Sequence, residues 1–137
     1  MGMTFTVEPG RRLVFTVADG PLRVADFAAH VQALADAGAL GHSQLIDARS
    51  ASLDITTNEN RNFAELMRRM RAVHGSTRTS FVVSRDLDYG LARMYEGMSA
   101  DIDPGFRVFR DLTEARQWIF EPLGGATQDD RAGQERS

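Results

Sequence analysis

The sequence predicts an α/β domain with a mixed, mostly parallel five-stranded sheet flanked by four helices. Three observations carry this expectation. Short runs of β-branched and aromatic residues alternate with longer segments whose apolar residues recur at helical spacing. Phe81-Val82-Val83 is a continuous apolar run, as expected of a strand covered on both faces. The resulting order, β-β-α-β-α-β-α-β-α, favours parallel strands joined by helical crossovers.

In the first strand Phe5 and Val7 alternate with Thr4 and Thr6, and Pro9-Gly10 marks a turn. Leu13 to Val17 forms the second run, stopped by Asp19-Gly20-Pro21, so the two pair as a hairpin. The first helix carries Val24, Phe27, Ala28, Val31, Leu34 and Ala35 at helical spacing, and Gly38 and Gly41 end it. A short strand follows over Gln44–Asp47. Thr56 and Glu59 have the spacing of a capping box and open the second helix. Its stripe is Phe63, Leu66, Met67, Met70 and Val73, and Gly75 stops it.

Phe81–Val83 is read as the central strand. The third helix spans about Leu87 to Ser99, with Leu91, Met94, Tyr95 and Met98 on one face. Pro104-Gly105 turns the chain into the strand Phe106–Phe109. Asp111 and Glu114 start a fourth helix with Leu112, Ala115, Trp118 and Ile119 on its apolar side. Residues 1–123 are read as one domain. Residues 124–137, GGATQDDRAGQERS, lack apolar periodicity and are read as a disordered tail.

Composition narrows the chemistry. The 137 residues include no cysteine, which excludes disulfides, thiolate metal sites and cysteine nucleophiles. All 16 basic residues are arginine, so there is no Schiff-base or P-loop lysine. A net charge of −3 argues against nucleic acid as a partner. No secretory leader and no membrane span is legible, and the expected location is the cytoplasm.

The candidate sites are few. His30, His42 and His74 share no metal-pair spacing, so no metal and no cofactor is expected, and each is read as solvated or at a helix end. Gly41-His42-Ser43 lacks the second glycine of a serine-hydrolase elbow. Asp19, Asp47, Arg49, Arg85, Asp86, Arg110 and Asp111 fall near the carboxyl ends of strands, where open α/β sheets bind ligands. The same residues also suit ion pairs, with Asp86 and Asp111 as helix caps. Arg68, Arg69 and Arg71 read as the solvated face of the second helix.

Methionine placement gives the sharpest expectation. Apart from Met1 and Met3, the methionines are Met67 and Met70 on the second helix and Met94 and Met98 on the third. Each pair lies on one helix face. With Phe63, Leu66, Leu91 and Tyr95 they would meet in one adaptable apolar seam. Met67, Met70, Leu91, Met94, Tyr95 and Met98, with Arg93 at the mouth stacking on Tyr89, are the expected ligand-binding residues; the alternative is a closed core.

Several segments together resemble the SpoIIAA-like family of STAS/SEC14-type domains, over roughly residues 4–121. They are Asp19-Gly20, Leu45-Ile46-Asp47-Ala48-Arg49, the block Tyr89-Gly90-Leu91-Ala92-Arg93-Met94-Tyr95-Glu96, Arg107-Val108-Phe109-Arg110-Asp111, and Glu114-Ala115 with Trp118. The resemblance implies a non-enzymatic binding module. Related SEC14-type domains bind lipids, which makes a carrier or sensor of a small apolar or lipid-like molecule the first reading. Related STAS domains are regulatory protein–protein modules, the second reading. In regulatory members an Asp-Ser-Ser-Gly motif holds a phosphorylatable serine at the start of the second helix. Here Asp54-Ile55-Thr56-Thr57-Asn58 stands there, without serine or glycine. Thr56 is taken by the capping box, which leaves Thr57 as the phosphorylation candidate. A homodimer through an apolar helix face is the expected assembly.

Overall fold

The computed structural model describes residues 2–74, 77–101 and 104–121. The expected tail at 124–137 and the expected helix stop at Gly75 lie outside these residues. The elements are β1 (Gly2–Glu8), β2 (Leu13–Leu22), α1 (Val24–Asp36), β3 (Ser43–Leu53), α2 (Thr57–His74), β4 (Thr79–Val82), α3 (Asp86–Met98), β5 (Phe106–Phe109) and α4 (Leu112–Ile119). This is the expected order and the expected mixed five-stranded sheet.

The strands lie in sequential order, β1-β2-β3-β4-β5. Only β1 is antiparallel to its neighbour; the other pairings are parallel. The β1–β2 reversal passes through a 3₁₀ turn at Pro9–Arg11 and then Arg12, whose φ of 50° lies in the left-handed region. β3 is the middle strand. β4, with Val82 wholly buried, lies between β3 and β5 and is interior but not central.

Sequential order decides the layering. Three consecutive crossovers of the same right-handed sense place α1, α2 and α3 on one face of the sheet. The chain then leaves β5 and α4 covers the other face. Strand residues alternate accordingly. Val14, Ala18, Ile46, Ala48, Phe81, Val83 and Val108 pack in the clusters that hold the first three helices. Leu45, Val82 and Phe109 instead meet Ala115 of α4, with Phe15 and Trp118 at the margin.

Local signals account for the helix starts. Thr56 and Glu59 form the expected reciprocal box, Glu59 N donating to Thr56 Oγ1 at 3.1 Å and Thr56 N to Glu59 Oε1 at 2.9 Å. Asp111 caps α4 by accepting from Thr113 N. Asp86 does not cap α3. It is the first helical residue, and its carboxylate pairs with Arg110 at 2.7 Å.

Two strands outrun their sequence signals. β2 continues past Asp19-Gly20-Pro21 to Leu22, and β3 continues past Asp47 to Leu53. The extensions pair with each other, Asp19–Leu22 against Ser50–Leu53, after a register shift between Val17 and Asp19. Gly20 takes a φ of 73° there, which a glycine adopts at no steric cost. Each extension is stable because the other exists, so neither is visible locally.

Candidate functional site

A chamber of about 90 Å³ lies between the sheet and the layer of α1, α2 and α3. Its wall is mostly apolar and largely aromatic. Phe27 of α1, Phe63 of α2, Tyr95 of α3, Phe106 of β5 and Phe81 of β4 all line it. Their rings touch in a closed circuit. The centroid separations are 5.9 Å for Phe27–Phe63, 5.8 Å for Phe63–Tyr95 and 4.7 Å for Tyr95–Phe106. Phe106–Phe81 and Phe81–Phe27 close it at 6.0 Å each. These are ordinary separations for tilted and edge-to-face pairs.

A polar group interrupts this wall. His30 of α1 sits between the helix and β3, and its Nε2 is 2.5 Å from Gln44 Oε1. Thr16 on β2 donates from Oγ1 to the same oxygen at 3.2 Å. Burial holds the His30 imidazole below its ordinary pKa, the hydrogen bond to Gln44 opposing this only in part. It is therefore neutral at pH 7 and donates to the Gln44 carbonyl oxygen. Gln44 Oε1 is thus occupied twice. Among the described residues nothing accepts from its NH2 half.

Two further polar side chains of α2 line the chamber. Asn60 is buried and donates from Nδ2 to the Leu91 carbonyl at 3.2 Å. Arg71 is 9% exposed and reaches the Leu40 carbonyl at 3.4 Å. The expectation that Arg68, Arg69 and Arg71 form a solvated face holds for the first two only. Arg71 lies on the stripe Asn60–Ala64–Met67–Arg71, which faces inward. His30 likewise is neither solvated nor at a helix end, since its neighbours at helical spacing are Phe27 and Leu34. His74, by contrast, is exposed in the last turn of α2.

The expected binding residues separate into three groups. Met67, Leu91 and Tyr95 line the chamber. Met70 and Met98 are half-buried against the adjoining core cluster, outside the lining. Met94 is 37% exposed, and Arg93 is exposed and paired with Glu96 at 3.1 Å. Arg93 borders a separate shallow cleft with Glu96 and Phe106. It does not stack on Tyr89; that place belongs to Arg110, 5.4 Å above the ring. Sequence reasoning missed His30, Gln44, Asn60 and Arg71. The signal was a polar residue standing at a core position of an otherwise apolar stripe.

The rim at the strand ends is occupied by ion pairs. Arg49 grips Asp47 through two hydrogen bonds, of 2.8 and 2.9 Å, and this holds the Asp47 carboxyl below its usual range. Arg110 pairs with Asp86, and Arg85 with the buried Asp88. Asp88 also accepts from Leu53 N at 2.9 Å and so closes the end of β3. Thr57, the phosphorylation candidate, is exposed as the first residue of α2. Among the described residues no cluster of three His, Asp or Glu side chains is placed to hold a metal ion. No described helix is long and apolar enough to cross a membrane.

No protein-family model matches the chain, and no curated protein sequence matches it. Among solved structures, the chain is similar to the crystal structure of an uncharacterized protein of the DUF3478 family from Shewanella loihica PV-4, described as having a SpoIIAA-like fold. The match has a TM-score of 0.56 and 18% identity, and it covers 86% of this chain and 94% of that one. The five-stranded mixed sheet, the sequential strand order and this likeness agree: the chain has a SpoIIAA-like fold.

Proposed function

We propose that this protein is a non-enzymatic binding module, a carrier or sensor of a small apolar molecule. The observation that carries the reading is the chamber beneath α1–α3, an apolar wall broken by a few convergent polar groups, as small-molecule sites usually are. Its size limits the ligand. An engineered cavity of roughly 150 Å³ admits benzene, so 90 Å³ suits a small body and not a whole lipid chain. Nothing in the wall resembles an activated nucleophile, since the one imidazole is engaged with Gln44 and Thr16.

The test is saturable binding of small apolar compounds to the full chain, with native mass spectrometry of freshly purified protein. Leu91→Glu, which brings a carboxylate to the chamber wall, is expected to abolish binding. Met94→Glu, outside the chamber, is expected to leave it unchanged. No bound small molecule together with no saturable binding overturns the carrier reading. The same reading includes a homodimer through an apolar helix face, which a light-scattering mass of one chain at high concentration would remove.

The SpoIIAA-like fold also supports a second reading, a STAS-type protein–protein regulatory domain. The specific observation in its favour is Thr57, exposed at the first position of α2. A phosphate there would meet the positive end of the helix dipole. Absence of phosphate on Thr57 in protein isolated from its native host, across growth conditions, would overturn that switch.

A further inference from the structure

The chamber's wall is more specific than a small apolar site requires, and this deepens the carrier reading on which it rests. Aliphatic residues would suffice to hold an acyl chain. Instead, five rings from five different elements touch in sequence around the space. Their interplanar angles run from 34° to 77°, so faces and edges both border the space. A ring entering such a wall finds offset or edge-to-face partners on several sides, a gain that a saturated ring of the same size does not share.

The polar side of the chamber sets the second requirement. Gln44 lines it, and its carbonyl oxygen is already used by His30 and Thr16. What it has left to offer is an N–H donor, so the occupant must bring an acceptor oxygen. A full charge carried into this mostly apolar space would lose its hydration, which favours an uncharged molecule. At about 90 Å³ the chamber is smaller than the roughly 150 Å³ that admits benzene, so a single ring is the upper limit and enters only as the unbranched Met67 side chain gives way.

We propose that the circuit of Phe27, Phe63, Tyr95, Phe106 and Phe81 is a receptor for one neutral monocyclic aromatic compound bearing an oxygen acceptor, which the Gln44 amide engages. The ring carries the affinity and the oxygen fixes the orientation.

The probes are phenol, cyclohexanol and hexanoate, titrated into the full chain by calorimetry, with amide chemical shifts mapping the site. Cyclohexanol keeps the oxygen and the ring size but has no π-face. Phenol is expected to bind saturably and at least about fivefold more tightly than cyclohexanol, the difference one aromatic pair confers. Shifts should centre on Tyr95, Phe63 and Gln44. Phe63→Leu, at a half-buried position, should weaken phenol about fivefold and leave cyclohexanol unchanged. Gln44→Met should weaken both. Equal binding of phenol and cyclohexanol, or shifts centred on the cleft at Arg93, overturns the proposal. If hexanoate binds and phenol does not, the aromatic specificity is wrong while the carrier reading survives. If none of the three binds, both fail.

Discussion

Arg78, just before β4, donates from its guanidinium to the Trp118 carbonyl at 2.6 Å and lies 4.9 Å from the centre of the same residue's ring. One side chain therefore holds both the backbone and the indole of α4. The Trp118 bond satisfies one of the last carbonyls of that helix, and the same guanidinium is 3.3 Å from the Glu121 carbonyl just beyond its end. Arg78→Ala is expected to lower stability by about 2 kcal/mol, the range for a charge-assisted hydrogen bond with its packing. Arg78→Lys should recover only part of this, because an ammonium cannot stack as a planar fork does. Urea unfolding checks both variants, and Trp118, the only tryptophan, reports the local change by fluorescence.

Gly105 is required by a close approach. A Cβ at that position would lie 2.0 Å from the Thr77 carbonyl oxygen and 2.9 Å from its carbon. Both are backbone atoms, which do not rotate away. Gly105→Ala should therefore force the start of β5 from its register beside β4 and cost about 3 kcal/mol or more. Thermal unfolding by circular dichroism measures it. A loss below about 1 kcal/mol would show that the two segments separate easily.

Gly90 is the converse case. It lies inside α3, and a Cβ there would meet nothing within 4 Å. Gly90→Ala is expected to stabilise by about 0.5–1 kcal/mol, through lower backbone entropy in the unfolded chain. A lowered melting temperature would contradict the open surroundings.

His30 gives stability a pH dependence of known sign. Its pKa is lowered in the folded protein, first by burial, from the ordinary value of 6.5. As pH falls through that value the unfolded chain takes up a proton before the folded one does. The contribution is therefore complete above about pH 6.5 and declines as pH falls toward the depressed folded value. Arg71 in the same chamber wall adds to the cost of a second cation. The urea midpoint should fall more between pH 7.5 and pH 5.5, roughly, in the native protein than in His30→Gln. Parallel curves for the two proteins would show that another group controls the slope.

The elements were legible wherever a local period or cap specified them. The capping box at Thr56 and Glu59 and the cap at Asp111 need no tertiary information. The far halves of β2 and β3 were not legible, because Arg49-Ser50-Ala51-Ser52 has little strand character of its own and is strand only against Asp19–Leu22. The third helix misled in a more instructive way. Its apolar residues Leu91, Met94, Tyr95 and Met98 suggest one buried face, yet the buried residues are Asp88, Ala92 and Tyr95, with Ser99 just beyond. Asp88 and Ser99 are buried because backbone groups satisfy them: Leu53 N donates to one, and the other donates to Tyr95 O. A hydrophobicity pattern does not contain those partners, so it rotated the helix and placed Met94 inside.

The sequential strand order has a kinetic consequence. Every strand pairs with the one before it in the chain, so each ladder closes a loop no longer than one connecting segment. No strand must wait for a distant part of the chain to find its partner. Closure entropy rises with loop length, and folding rates fall as the mean sequence separation of contacts grows. The chain can therefore add one strand and its helix at a time, each new edge serving as the template for the next, until α4 folds back over β3–β5 and seals the second face.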